Sequence, residues 1–206
     1  MAERRDGAAA PGTTTTRTNE DWQGREVDRE EFHGVRFVDC DLSEITSTGA
    51  VFDECVFRNV RFNASTHTDT AFTNCTFAHS SFFDAALTRC KLLGSRFDGC
   101  SFDLVRVDGG NWGFVSLARA DLASATFRGT RLREADLTGA RCAGATLRDL
   151  DLSGALLERA DLTGADLRGS DLSSLDPLTV TLQGAVIDLR QALVVAEALG
   201  LDVRAD

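Results

Sequence analysis

The chain has no tyrosine, one methionine and two prolines among its 206 residues, and of its 22 basic residues only Lys91 is lysine. Proline this scarce leaves backbone hydrogen bonding almost uninterrupted. No stretch approaches the ~20 apolar residues that a membrane-spanning helix needs. The opening MAERRDGAAAPGTTTTRTNE is charged and threonine-rich, without the apolar run of a secretory leader. A basic excess is also missing. The formal net charge is −10, which disfavours direct contact with nucleic-acid phosphates and favours a basic partner. Catalytic signatures are absent too: there is no GxSxG, P-loop or HExxH, and His33, His67 and His79 stand outside any nucleophile motif. The six cysteines form no CxxC pair and have no histidine at ligand spacing. A membrane protein, a simple nucleic-acid binder and a metal or cofactor enzyme are therefore not expected. The expected compartment is the cytoplasm.

What is present is a period of five. From Phe32 to Ile187 every fifth residue is a large apolar one in 29 of 32 positions, and only Ser47, His67 and Pro177 depart. Eleven of the 13 phenylalanines share this phase. Two residues before each such centre runs a column of small or medium residues, including Val35, Cys40, Ile45, Ala50 and Cys55. Two residues after it lie 13 of the 18 glycines. Five fits neither the 3.6-residue helix nor the two-residue strand. It fits a coil with a corner every five residues and two inward residues per side. Four sides close a coil of 20 residues, and stacked coils pair as parallel strands in a β-solenoid. Phe37, Phe57, Phe77 and Phe97 then form one ladder.

The stretch ADLTGADLRGSDLSS (160–174) displays all three columns. In this the chain resembles the pentapeptide repeat proteins, over about residues 21–187. The Phe-rich first half, FTNCTF (72–77), KLLGS (91–95) and the ending GAVIDLRQALVVAEALGL (184–201) are similar to the fluoroquinolone-resistance pentapeptide proteins of mycobacteria and other actinobacteria. The resemblance implies an all-β fold, a right-handed quadrilateral β-helix. It also implies a partner, the type II topoisomerase DNA gyrase, bound by mimicry of DNA and thereby protected from quinolones or other poisons. Related plasmid-borne proteins carry projecting loops. The unbroken phase here leaves no room for them, so a mechanism resting on loops does not carry over.

Within this frame, five cysteines (40, 55, 75, 90, 100) fall in the small inward column and Cys142 in the large one, as core thiols. Ser47 and His67 stack on one face of adjacent coils. They either weaken that face as a local recognition surface, or turn outward or hydrogen-bond internally. Gly110 is read as making room for Trp112. Small Cys142 is read as balanced by large Leu150. From Glu54 through Asn59, Ala64, Asp69, Asn74, His79 and Asp84 to Arg89 the corner column lacks glycine. A different turn type is expected there, with regular glycine-assisted turns after residue 120.

Three segments result: a disordered tail at 1–20, the β-helix at 21–187, and a helix with tail at 188–206. Asp188 reads as an N-cap and Gly200 as the terminating residue of a short C-terminal helix that caps the core. That helix is apolar nearly all round, so its outer side calls for a partner. The expectation is a homodimer through Leu189, Leu193, Val194, Val195, Ala198 and Leu201; the other reading is a monomer wrapped by LDVRAD. About eight coils at roughly 4.8 Å give a rod of about 40 Å. That is the length of about 12 base pairs, which carry roughly 24 charges. A chain of net −10 therefore needs a patterned acidic stripe to imitate DNA. The candidates are Asp41, Glu44, Asp53 and Glu54 towards the tip and Asp151, Asp161, Asp166, Asp171 and Asp176 towards the dimer centre. A scaffolding protein with no topoisomerase partner is the alternative.

Overall fold

The computed structural model describes residues 11–204. Every strand pairs in parallel with the strand one coil away, and the register is 20 residues throughout: Phe37 lies against Phe57, Phe57 against Phe77 and Phe77 against Phe97. The result is a four-faced β-solenoid closed by one short helix. We number the faces by their inward centres. The first runs through Trp22, Leu42 and Phe62, the second through Val27, Ser47 and His67, the third through Phe32, Phe52 and Phe72, and the fourth through Phe37, Phe57 and Phe77. The second face holds the longest sheet, seven strands from Glu26–Asp28 to Thr146–Arg148. The fourth has five strands and the third has three. The first face is held by single bridges, Asp21 to Asp41 to Arg61 and onward to Thr181.

The core is the five-residue phase made solid. Phenylalanine rings of successive coils lie nearly parallel, with centroids 5.0, 4.8 and 4.6 Å apart along the fourth face. Rings of adjoining faces meet edge-on, as at Phe37 and Phe52. Both arrangements suit the aromatic quadrupole. The inner small column has its own chemistry. Cys55, Cys75 and Cys90 donate their thiols to the carbonyls of Phe32, Phe52 and His67 one coil back, at 3.3, 3.3 and 3.4 Å. Ser95 and Ser170 use the same geometry towards Phe72 and Leu147. Burial pushes the Cys90 and Cys100 thiols up to about 11 and Cys142 to about 12, so these sulfurs are unreactive space-fillers. Cys142 and Leu150 line the same narrow apolar void, in keeping with a volume trade between them.

Three expectations are revised. The solenoid begins before residue 21. Thr15–Thr18 is a strand paired with Val35–Val38, and Arg17 stands at the next centre of the phase. The Arg17 guanidinium lies 5.5 Å from the Trp22 ring centre and ion-pairs with Glu20, closing the open end of the core. A cation at a ladder position hid this coil from a search for apolar periodicity. The rest of the expected tail, residues 1–10, lies outside the described residues.

The corners, second, need no glycine for a left-handed backbone. Glu54, Asn59, Ala64, Asp69, Asn74, His79, Asp84 and Arg89 all adopt φ between +51° and +54°, and Gly129, Gly139 and Gly154 adopt the same left-handed conformation. The turn type does change as expected. From Glu54 to Arg89 only the corners at Ala64 and Asp84 close a backbone bond, Ser65 N–H to Phe62 and Ala85 N–H to Phe82, whereas after residue 120 most do, as Ala135 N–H to Leu132 and Ala140 N–H to Leu137. The sides change with it. Extended three-residue strands dominate the first half, and after residue 120 they survive only at Thr126–Arg128 and Thr146–Arg148. Gly110, finally, makes room for backbone rather than for the indole. At its φ of +89° a Cβ would lie 2.1 Å from the Cys90 carbonyl oxygen.

At the far end the fourth-face bridges stop at Leu156, and Pro177 in the coil beyond has no N–H to offer a further coil. Helix α1 (Leu189–Ala198) then covers the opening.

Candidate interaction surfaces

The aspartates preceding each ladder centre share one local structure. Asp151 Oδ1 accepts the backbone N–H of Ser153, Asp161 that of Thr163, and Asp171 that of Ser173, at 3.1, 3.0 and 2.9 Å. Asp176 and Asp166 do the same two residues on. One oxygen thus holds the turn while the charge stays outside. Neighbours hold Asp41, Asp151, Asp161 and Asp166 below the usual carboxylate range. The Arg61 guanidinium holds Asp41 at about 2, and that of Arg168 does the same for Asp166. Hydrogen bonds from Ser153 and Thr163 lower Asp151 and Asp161.

The coil register distributes the nine candidate acids over all four faces. Asp41, Glu44 and Asp161 lie on the first face and its corner. Asp166 lies on the second, Asp53, Glu54, Asp151 and Asp171 on the third, and Asp176 on the fourth. They do not make one stripe. The structure instead gathers acid on two opposite faces. On the first, Asp21, Asp84, Asp103 and Asp121 join Asp41, Glu44 and Asp161 against only Arg61 and Arg141, and on the third, Glu30, Glu31 and Glu134 join Asp53, Glu54, Asp151 and Asp171 against Lys91, Arg131 and Arg133. The signal was available as a 20-residue spacing, since Asp21, Asp41, Asp121 and Asp161 share one phase. Part of this charge is answered locally. Arg61 pairs with Asp41 at 2.6 Å and Arg141 with Asp121 at 2.9 Å, each exactly one coil apart. Asp84 pairs with Arg106 of the second face at 2.6 Å. On the second and fourth faces arginines match acids much more closely, as in the column Arg128, Arg148 and Arg168.

Ser47 and His67 point inward and are fully buried. Their hydroxyl and imidazole are joined at 2.7 Å, and the strand register passes through them without a break. The face is therefore neither bent nor opened as a recognition surface.

The C-terminal helix has two sides. Asp188 caps it by accepting from Arg190 and Gln191, and also binds Gly169 N–H of the coil below. Gln191 is buried. Its Nε2 donates to the carbonyls of Leu167 and Ser170 at 2.6 and 2.7 Å, and its Oε1 accepts the Asp188 N–H. The role of Gln191 was missed, although Asp188-x-x-Gln191 spells a capping box. Val194 and Val195, expected in a dimer interface, pack instead against the core. Leu189, Leu193, Ala198 and Leu201 face outward, with Leu189 80% exposed. Leu178, Leu199 and Val203 extend this apolar surface. Among the described residues no cluster of metal-ligating side chains and no helix long and apolar enough to cross a membrane occurs.

A family model described as pentapeptide repeats, in eight copies, matches residues 100–139, 116–152 and 140–174. Over residues 100–174 the chain carries pentapeptide repeats. A second model, the SV2A/B/C luminal domain, matches residues 27–102. No curated protein matches significantly. Among solved structures, the chain is similar to a trypsin-treated variant of QnrB1, described as a plasmid-mediated fluoroquinolone resistance protein. Identity is 22%, coverage 94% of this chain and 100% of that one, and the TM-score 0.56. A second trypsin-treated QnrB1 variant matches at 20% identity over 93% of this chain and 99% of that one, with a TM-score of 0.53. At these identities the likeness is one of fold.

Proposed function

We propose that this protein is a partial DNA mimic that binds DNA gyrase and modulates it or protects it from quinolones or other topoisomerase poisons. The observation that carries the reading is the acidic excess on the first and third faces of a rod whose coils are uninterrupted. Charges there recur at multiples of about 4.8 Å, sparser than the one per roughly 1.7 Å of duplex DNA, so the imitation is of shape and sign rather than full charge density. The fold-level likeness to a plasmid-mediated fluoroquinolone resistance protein supports the link to quinolones. Binding, not catalysis, is the chemistry such a surface serves. The exposed Leu189, Leu193 and Leu201 favour a homodimer joined at the C-terminal helices, which doubles the length of rod offered to the enzyme.

A supercoiling assay tests this. Rising amounts of the protein should inhibit gyrase alone and restore activity in the presence of a fluoroquinolone. Both effects should weaken at high salt, because exposed acidic contacts are screened. If neither inhibition nor rescue occurs, the gyrase reading is wrong and a scaffolding role without a topoisomerase remains.

A further inference from the structure

Two phenylalanines stand outside the ladder phase, Phe83 and Phe114, and neither is buried. Phe83 lies on the acidic first face, one coil from Leu104. The two side chains are 48% and 50% exposed. A backbone bond of 2.9 Å from Asp84 N–H to the Asp103 carbonyl sets Phe83 and Asp84 beside Asp103 and Leu104. The result is a block of two apolar and two acidic residues. Leu104 occupies the corner, at φ +60°. Elsewhere in that column the left-handed corner is taken by Gly24, Glu44, Ala64, Asp84, Gly144, Gly164 and Gly184. A bulky side chain there strains the backbone, and a half-exposed leucine recovers little of that in packing. Among the described residues no cation pairs with Asp103, while Arg106 pairs with Asp84. Strain and exposure thus coincide at one spot on an acidic face.

We propose that Phe83 and Leu104, framed by Asp84 and Asp103, are the apolar centre of the docking surface on the first face. Its occupant is a protein surface with basic residues around an apolar pocket. An apolar anchor within a charged rim is the ordinary anatomy of a protein interface. A nucleic acid has the wrong sign of charge, and a second copy docking through the same patch would set acid against acid. The inference rests on the reading of the rod as a gyrase-binding protein and locates its contact.

The test measures binding of purified DNA gyrase to wild type, Phe83→Ser and Leu104→Gly by calorimetric titration, with Tm and sedimentation recorded for each. Leu104→Gly relaxes the corner, so its Tm should hold or rise while affinity falls at least about ten-fold. Phe83→Ser should weaken binding to a similar extent with an unchanged fold. Wild-type binding with both variants within about two-fold overturns this inference alone and leaves the gyrase reading standing. An affinity loss that tracks a fall in Tm or a change of oligomeric state also overturns it. Failure of the wild type to bind removes both.

Discussion

His67 shows how one polar residue survives in an apolar ladder. The Phe62 carbonyl can only accept, so the Ser65 hydroxyl donates to it at 2.7 Å and accepts Nε2–H of His67 at 3.0 Å. Nδ1 meets the Ser47 hydroxyl at 2.7 Å, and that hydroxyl meets Thr70 at 2.8 Å, whose own hydrogen also has the Thr68 carbonyl as acceptor at 3.2 Å. A neutral imidazole has both ring nitrogens partnered in this chain. The rings of Phe62 and Phe72 flank the imidazole, and Cys90 spends its thiol on the His67 carbonyl. Burial accordingly pushes His67 down to about 4. An unfolded histidine takes up its proton near 6.5 and the folded one only near 4. Stability is therefore full above pH 6.5 and falls as pH drops through that window, by roughly 3 kcal/mol. Urea unfolding of wild type and His67→Leu between pH 7.5 and 4 checks this. The variant should start less stable, by roughly 1–3 kcal/mol, and lose the wild type's extra slope. Parallel curves would refute the account.

At the scale of elements, each coil rests mainly on its two neighbours, as solenoid energetics requires. The weak points are the ends, and different chemistry covers each. At the start a cation spreads over Trp22. At the finish Gln191 plugs two carbonyls of the last regular coil. Replacing Gln191 by leucine takes the side-chain donor from the Ser170 carbonyl, leaves the Leu167 carbonyl only the Ser170 N–H, and dismantles the capping box. The expected loss is roughly 2–5 kcal/mol, confined to the helix and the coils beneath it. Hydrogen exchange resolves this by position. Amides of residues 160–187 should lose protection in Gln191→Leu, whereas those around Phe57 and Phe77 should not. Uniform loss along the rod, or none, would show that the helix is not a local lid.

For the whole molecule, the question is what the outer side of α1 meets. Leu189 and Leu193 project from it, and Leu178, Leu199, Leu201 and Val203 lie exposed at the same end. Apolar surface exposed in this way marks an interface. Sedimentation should find the wild type at twice the chain mass of 22.2 kDa. The double variant Leu189→Asp with Leu193→Asp should sediment at the single mass with an intact solenoid, since neither side chain packs into the core. A monomeric wild type at micromolar concentration would dismiss the dimer.

The sequence by itself determined the solenoid. Register, ladders, inward cysteines and the capped helix all follow from a five-residue phase that no insertion disturbs, because every coil repeats the same local decision. It also marked its own exceptions at Ser47, His67 and Gly110. Which exceptions were structural became visible only in three dimensions. The Ser47–His67 pair is satisfied by Ser65 and Thr70 from neighbouring sides of the coil, and Gly110 yields to the backbone of the preceding coil. Only the tertiary structure sorted surface residues among faces. A charge's face depends on its position within 20 residues, not five, so acids that look alike in ADL repeats point in four directions. The same winding placed Val194 and Val195 inward and left Leu189 out, because the tilt of a capping helix is set by the carbonyls that Gln191 must reach.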